Sequence, residues 1–453
     1  MKTMILDASN VFSDRIGVNG LDHKVFTDTV LALDTQNADL WASPYPFMKL
    51  PETRFQFDRI KSLVGTIMKE GISNLVLLGI GGSALGTETI FHALLHPFHN
   101  YDRQIRGGKP RYFIVDNIDP HKINALIEII EPEIDKTLLV VISKSGETPE
   151  TLSQFMIFKD LMKRRGGDFE KRIVLITDKD RGLLNEIARK EGYVTLNLPE
   201  GVGGRFSVLT PVGMFPALIM GLDIDDMAQG ALSMASHIAG AKGPKNMAMT
   251  LAAILYHMDR NGKHLHVVMP YCERLAAFAD WFRQLEAESL GKGGLGPTPT
   301  KAVGVTDQHS QLQLYVDGPK DKCIILFYSA QDKRPIPDSF TYLDDVAYLA
   351  GKDMKDLFQA EFEGTSLSLA EAGAPNLAFF VDDIGAYTLG ALFYLFEMVI
   401  LYLGLLYKIN AFDQPGVEQG KIYTKAIMGK KGFEKEALKI EKYASQSRMT
   451  ITF

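Results

Sequence analysis

Thr137-Leu138-Leu139-Val140-Val141-Ile142-Ser143-Lys144-Ser145-Gly146-Glu147-Thr148 is an apolar run that empties into a small polar turn, and Pro149-Glu150 then open a helical stretch. Residues 138–142 read as a buried strand. Thr148 stands at the N-cap and Pro149 at the first helical position. Strand, turn and helix N-terminus together form an anion cradle. Unpaired backbone N–H groups and the positive end of the helix dipole converge on one spot, and the hydroxyls add directional donors. Phosphate is the expected anion; an ordinary capped strand-to-helix turn is the alternative. No Gly-x-x-x-x-Gly-Lys-Ser/Thr spacing occurs here, so the turn suits one phosphomonoester better than a triphosphate.

On either side of this stretch the first half alternates short apolar runs with helical patterns. Strands are expected at Leu75–Ile80, Arg111–Asp116, Thr137–Ile142, Arg172–Thr177 and Tyr193–Leu198, with helices near Leu85–Leu95, His121–Ile130, Pro149–Lys163 and Leu183–Lys190. That alternation implies an α/β fold with a parallel sheet covered on both faces. Ligands on such sheets sit beyond the carboxyl ends of the strands. Gly79-Ile80-Gly81-Gly82-Ser83 occupies such an end, as does Ser143–Thr148. The glycines there let the backbone approach a ligand closely, but Ala84 breaks the dinucleotide pattern and no nicotinamide or flavin site is expected.

A second array follows. Met227–Ile238 and Met247–Arg260 read as helices, His264–Met269 as a strand, Glu273–Leu290 as a helix, and Lys322–Phe327 and Asn376–Val381 as strands. This is another α/β unit, a candidate reuse of the same fold, although no clear sequence repeat is visible. Gly291–Gln308, rich in Gly, Pro and Thr, reads as a functional loop. Ile384–Tyr407 is long enough and apolar enough to span a bilayer. Glu397 at its centre, its isolation, and the lack of basic flanks beyond Lys408 favour a helix buried on all sides instead. The lysine-rich stretch after Tyr407 reads as a helical tail.

The chain of 453 residues is too long for one ordinary core, which predicts two domains. A net charge of −6 with no basic stripe argues against nucleic acid. Cys272 and Cys323 cannot build a disulfide framework and suit a reducing cytosol, and Met1–Asn10 lacks the apolar core of a secretion signal.

Several side chains could do chemistry. Gln284 and Glu288 share one helix face, and Glu288 lies near a helix end that Gly291 can terminate. The negative end of a helix dipole should raise a carboxyl pKa, so the acid limb of any activity is expected above about 4.3. A solvated surface glutamate is the alternative. His309 follows Thr306-Asp307-Gln308 and could move protons, or simply cap or pack. Gly201–Ser207 presents Arg205, and Phe412–Lys421 presents Gln414 and Lys421; each could equally be a surface loop. His92, His96 and His99 have helical ligand spacing, and His264 and His266 share a strand face. Neither group has an obvious carboxylate or cysteine partner nearby in sequence, so no metal is expected.

Two longer runs are more specific. Glu200-Gly201-Val202-Gly203-Gly204-Arg205-Phe206-Ser207-Val208-Leu209-Thr210-Pro211-Val212-Gly213 resembles one signature of the glucose-6-phosphate isomerase (phosphoglucose isomerase) family. Phe412-Asp413-Gln414-Pro415-Gly416-Val417-Glu418-Gln419-Gly420-Lys421 resembles the other. Gly79–Ser83, Ser143–Thr148, Gln284–Lys292 and His309 fall in matching order. The resemblance covers roughly Leu75 to Lys421 and is closest to the compact bacterial form. It implies two sugar-isomerase (SIS) domains, 51–225 and 226–400, each a mainly parallel sheet between helices. An N-terminal segment 1–50, a helical C-terminal segment 401–453 carrying Lys421, and a cytoplasmic homodimer complete the expected organisation.

By resemblance, Glu288 shuttles a proton between C2 and C1 of the sugar and Arg205 steadies the enediolate. His309, reaching in from the neighbouring subunit, and Lys421 open the ring. Gly82, Ser83, Ser143, Lys144, Ser145 and Thr148 hold the phosphate, with Gln284 and Gln414 lining it or the sugar chain. The reaction implied is glucose 6-phosphate to fructose 6-phosphate, with no cofactor. A broader isomerase accepting mannose or amino sugar phosphates, and a non-catalytic sugar-phosphate sensor, are the alternatives. Two departures stand out: the loop between Glu288 and His309 is shorter than in animal enzymes, and Glu147 puts an acid where a neutral residue is usual. The Ser-Gly-Glu-Thr run is similar to the SIS domains of glucosamine-6-phosphate synthase. An inward Glu147 would weaken phosphate binding; an outward one would leave the cradle intact.

Overall fold

The alternating pattern closes into two five-stranded sheets, seen in a computed structural model that describes residues 4–165, 167–329, 332–446 and 449–453. The strands are β1 (Met4–Asp7), β2 (Asn74–Leu78), β3 (Arg111–Val115), β4 (Thr137–Ile142), β5 (Ile173–Thr177), β6 (Val194–Asn197), β7 (Leu265–Tyr271), β8 (Thr298–Lys301), β9 (Lys322–Ser329) and β10 (Asn376–Val381). The first sheet is wholly parallel in the order β3-β2-β4-β5-β6. Every residue of β2, β4 and β5 is buried, as continuous apolar strands covered on both faces require.

The second sheet has the order β1-β10-β9-β7-β8. Counted from β7, its four parallel strands repeat the first sheet's arrangement, so the fold is reused without a repeat in sequence. Two strands escape the sequence pattern. β1 pairs antiparallel with β10 (Met4↔Val381), which draws the N-terminus into the second sheet. β8, inside the stretch expected as a loop, pairs with β7 (Leu265↔Thr298). Its Pro299 cannot donate to a ladder, and β8 is tolerated because it lies at a sheet edge.

Helices fill the layers: α1 (Leu85–Leu94), α2 (Pro149–Arg165), α3 (Ile224–Gly240), α4 (Met247–Arg260), α5 (Ala276–Leu290), α6 (Ala386–Tyr407), and in the tail α7 (Glu418–Ile427) and α8 (Glu434–Ala444). As its composition suggests, α6 is a core helix: it is long and apolar enough to cross a membrane, yet 89% of its apolar window is buried inside the protein. It meets α3 backbone to backbone. A Cβ on Gly390 would lie 1.9 Å from Met227 O, and one on Gly230 would lie 1.7 Å from Tyr387 O. Only glycine on both helices permits that approach.

Glu397 of α6 is fully buried, and among the described residues neither carboxyl oxygen has a hydrogen-bond partner. Burial holds its pKa well above the ordinary carboxyl value, so the group is kept neutral. The native state therefore retains a proton that the unfolded chain releases. Stability from this group is complete below the unfolded pKa and is lost as pH rises toward the folded one, by up to about 1.4 kcal/mol per pH unit. Glu397→Gln should remove that slope. Its denaturation midpoint should gain on wild type more at pH 8 than at pH 5; equal differences at the two pH values would contradict the reading.

Candidate active site

The carboxyl ends of β2 and β4, neighbours at the switch point of the first sheet, open onto a cavity of about 440 Å³. Ile80, Gly82 and Ser83 after β2, and Ser143, Lys144, Ser145, Thr148 and Thr151 after β4, form one wall. Arg205, with Gln284 and Glu288 of α5, faces them, and Gln414 and Lys421 close the rim. Eleven of the twelve site residues expected from sequence thus converge from five separate segments. The twelfth, His309, is exposed and does not line the cavity of its own chain.

The 143–148 turn is internally braced. Ser143 Oγ and Thr148 Oγ1 lie 3.0 Å apart, and the Gly146 N–H donates to Ser143 Oγ at 3.1 Å. Thr148 O accepts the first helical bond from Leu152 N–H, so Thr148 is the N-cap by backbone while its hydroxyl serves the turn. Thr151, one turn into α2, lines the cavity with a buried hydroxyl that lacks a partner among the described residues. It was missed from sequence, although its i+3 spacing from Thr148 puts both on one helix face. Glu147 is exposed and not part of the cavity wall, the arrangement that leaves the cradle intact. The Lys144 side chain lies along the wall, and its ammonium donates to Val202 O at 2.8 Å.

Opposite, α5 aims Gln284 and Glu288 inward, and Gln284 Nε2 donates to Glu288 Oε2 at 2.9 Å. Arg205 is buried and joins three segments. Its Nε donates to Ser289 Oγ (2.7 Å), one terminal nitrogen to Gln414 Oε1 (3.0 Å), and the other to Ala411 O and Asp413 O (2.7 and 3.0 Å). Glu288 Oε1 lies 3.5 Å from the guanidinium. Burial lowers the arginine pKa, and Glu288 and Asp413 oppose that shift, so the cation persists. The loop carrying Asp413 is anchored by Lys292, whose ammonium is 3.0 Å from Asp413 Oδ1 and also bonds Asn410 O; the lysine's hydrogen bond holds Asp413 below the usual carboxylate range. Gly82 fits because the 82 and 204 backbones touch: a Cβ there would lie 2.3 Å from Gly204 C.

The chain that builds this cavity matches a family model over most of its length. The family description "Phosphoglucose isomerase" covers residues 53–321 and 329–448. The chain belongs to that family. It is 40% identical over 399 residues to a glucose-6-phosphate isomerase of Rubrobacter xylanophilus, covering 87% of this chain and 91% of the relative. A glucose-6-phosphate isomerase of Carboxydothermus hydrogenoformans is 38% identical, covering 96% and 98%. Among solved structures, a hypothetical protein of Thermus thermophilus superposes with a TM-score of 0.83 at 32% identity, covering 94% of this chain and 100% of that one. A glucose-6-phosphate isomerase of Chlamydia trachomatis shares the fold with a TM-score of 0.71 at 22% identity, covering 86% and 77%.

For this phosphoglucose isomerase family member, four of the five histidines set aside as metal ligands have protein partners, and His96 Nδ1 accepts from the Phe98 N–H at 3.1 Å. His99 contacts Pro110 O at 2.9 Å. Contrary to the expectation of no carboxylate partner nearby in sequence, His264 Nδ1 is 2.8 Å from Asp259, five residues earlier; His266 Nδ1 is 2.8 Å from Glu286 of α5, distant in sequence. Among the described residues no cluster of three or more metal-type side chains occurs.

Proposed function

We infer that this chain interconverts glucose 6-phosphate and fructose 6-phosphate. The observation that carries the reading is the pairing, across one cavity, of an anion turn with a carboxylate whose neighbour is a buried arginine. The phosphate is a remote handle whose binding energy holds the sugar in register. With the phosphate at 143–148, the sugar extends toward α5. Glu288 takes the proton from C2 and returns it to C1. Arg205, already fixed by its other hydrogen bonds, faces the developing enediolate without needing to reorganise. Gln284 orients the base, and Lys421, at the rim with its ammonium 2.8 Å from Glu418, takes part in ring opening. An isomerase assay on purified protein without added metal tests the reading; absence of turnover in both directions would sink it.

His309 completes the site from a neighbouring subunit, which accounts for a cavity that lacks it within one chain. The protein is thus a homodimer whose active site is shared. Its location is cytoplasmic, in keeping with Cys272 and Cys323, both buried and neither in a disulfide. Inactive Glu288→Gln and His309→Ala variants, unfolded together and refolded as a mixture, should recover activity. Random pairing leaves one intact site in half of the dimers, about a quarter of wild-type sites. A mixture no more active than its components would place the histidine in its own chain's site.

A further inference from the structure

The turn that holds the anion brings a single cation to the cavity. Its one cation, Lys144, is committed to Val202 O, and its one acid, Glu147, faces solvent. One ammonium, tethered to a backbone carbonyl, leaves a phosphate dianion only partly balanced. The loop after β5 supplies what is missing. Thr177 Oγ1 donates to Ser143 O at 2.8 Å, and the Asp178 N–H donates to Lys144 O at 3.4 Å. Gly182 lies so close that a Cβ on it would be 2.3 Å from Ser145 O, and one on Gly146 would be 2.7 Å from Leu184 N. The two loops are therefore locked together.

Arg181 rides on that locked loop and lines the same cavity as Ser143, Ser145 and Thr148. It also lines an adjoining cavity of about 800 Å³, so the residue lies between the two. Its backbone N–H is fixed by Asp178 Oδ1 at 3.2 Å. Among the described residues its guanidinium has neither a hydrogen bond nor an ion pair. Asp178 lines the cavity too, but its carboxylate is already engaged by the N–H groups of Asp180 (3.1 Å) and Arg181. A planar fork of donors at this place matches a phosphoryl group.

We propose that Arg181 is a second phosphate-binding cation of this site, beside Lys144: its guanidinium folds over the terminal phosphoryl group of the sugar phosphate seated in the 143–148 turn. The proposal rests on the isomerase reading for the identity of the sugar, but the anion contact can be measured apart from turnover. Inorganic phosphate is titrated calorimetrically into wild type, Arg181→Gln and Arg181→Lys, and kcat/KM for fructose 6-phosphate is measured alongside. Losing a charge-assisted pair should weaken phosphate binding in Arg181→Gln about tenfold to 100-fold, with a matching fall in kcat/KM. Arg181→Lys, which keeps the charge without the fork, should fall between. Wild-type phosphate affinity in Arg181→Gln overturns the assignment, whatever its turnover, as does a fall in turnover with phosphate affinity unchanged. If wild type binds phosphate but does not isomerise, the isomerase reading fails while the Arg181 contact is still judged by the titration.

Discussion

Glu288→Gln is expected to lower kcat by roughly 10³-fold, within the range typical of a lost general base, while KM for glucose 6-phosphate changes little. The substitution is nearly isosteric. An amide can keep the contact to Gln284, now 2.9 Å, and can still sit beside Arg205. What it cannot do is accept a proton from carbon. Transition-state stabilisation is therefore lost without a comparable loss of ground-state binding. A coupled assay measures the drop. Incorporation of solvent deuterium at the reacting carbons gives a second readout, because a group that takes and returns a proton can exchange it with water on the way. Near-unchanged turnover would remove Glu288 from the mechanism, and with it the relay between C2 and C1. Stability should fall by only about 1 kcal/mol, since Asp413 still faces the Arg205 cation and the amide keeps the Gln284 contact.

Arg205→Met should damage both stability and activity, and the pairing of the two losses is what distinguishes it. The guanidinium donates to Ser289 of α5, to Gln414 and to the carbonyls of Ala411 and Asp413. Without it these acceptors lose their donors, and Glu288 faces the cavity with no cation. Breaking one side of a buried charged network costs about 3–5 kcal/mol. The denaturation midpoint should fall accordingly, and the loop at 410–414 should become more susceptible to proteolysis. Activity should fall a further 10²- to 10³-fold or so, the loss typical of removing a preorganised electrostatic group. Arg205→Lys should recover part of the stability and little of the rate, because a point charge cannot bridge three segments at once. A full-rate Arg205→Met enzyme would show that the enediolate is stabilised elsewhere.

The sheet strands were readable because buried parallel strands are continuous apolar runs, and those at 138–142 and 173–177 are too short for a typical helix and end in turn residues. The edges were harder. β1 is short and half exposed, and β8 carries a proline, so neither has the composition of a central strand. Local spacing also found the turn at 143–148 and the Gln284–Glu288 pair, since each is built from residues within about one helical turn of one another. Arg205 and Lys421 were singled out within their loops, but only the resemblance attached roles to them. Arg181 and Asp178 carried no local signal; they belong to the site because glycines at 146 and 182 let two loops touch.

By itself, the sequence determined two α/β units, the strand ends at which a ligand would sit, a core helix read at 384–407 and the family. Those properties follow from hydrophobic period and from contiguous motifs, which act over a few residues. Only the tertiary structure decided that residues 143, 205, 288 and 414 share one cavity, that the Lys144 ammonium is tethered to Val202 while Arg181 lines the same cavity, and that His309 lies outside it. Contacts between residues so far apart in the chain depend on how sheets and helices pack, and packing depends on the complementary shapes of whole surfaces, which no short stretch encodes.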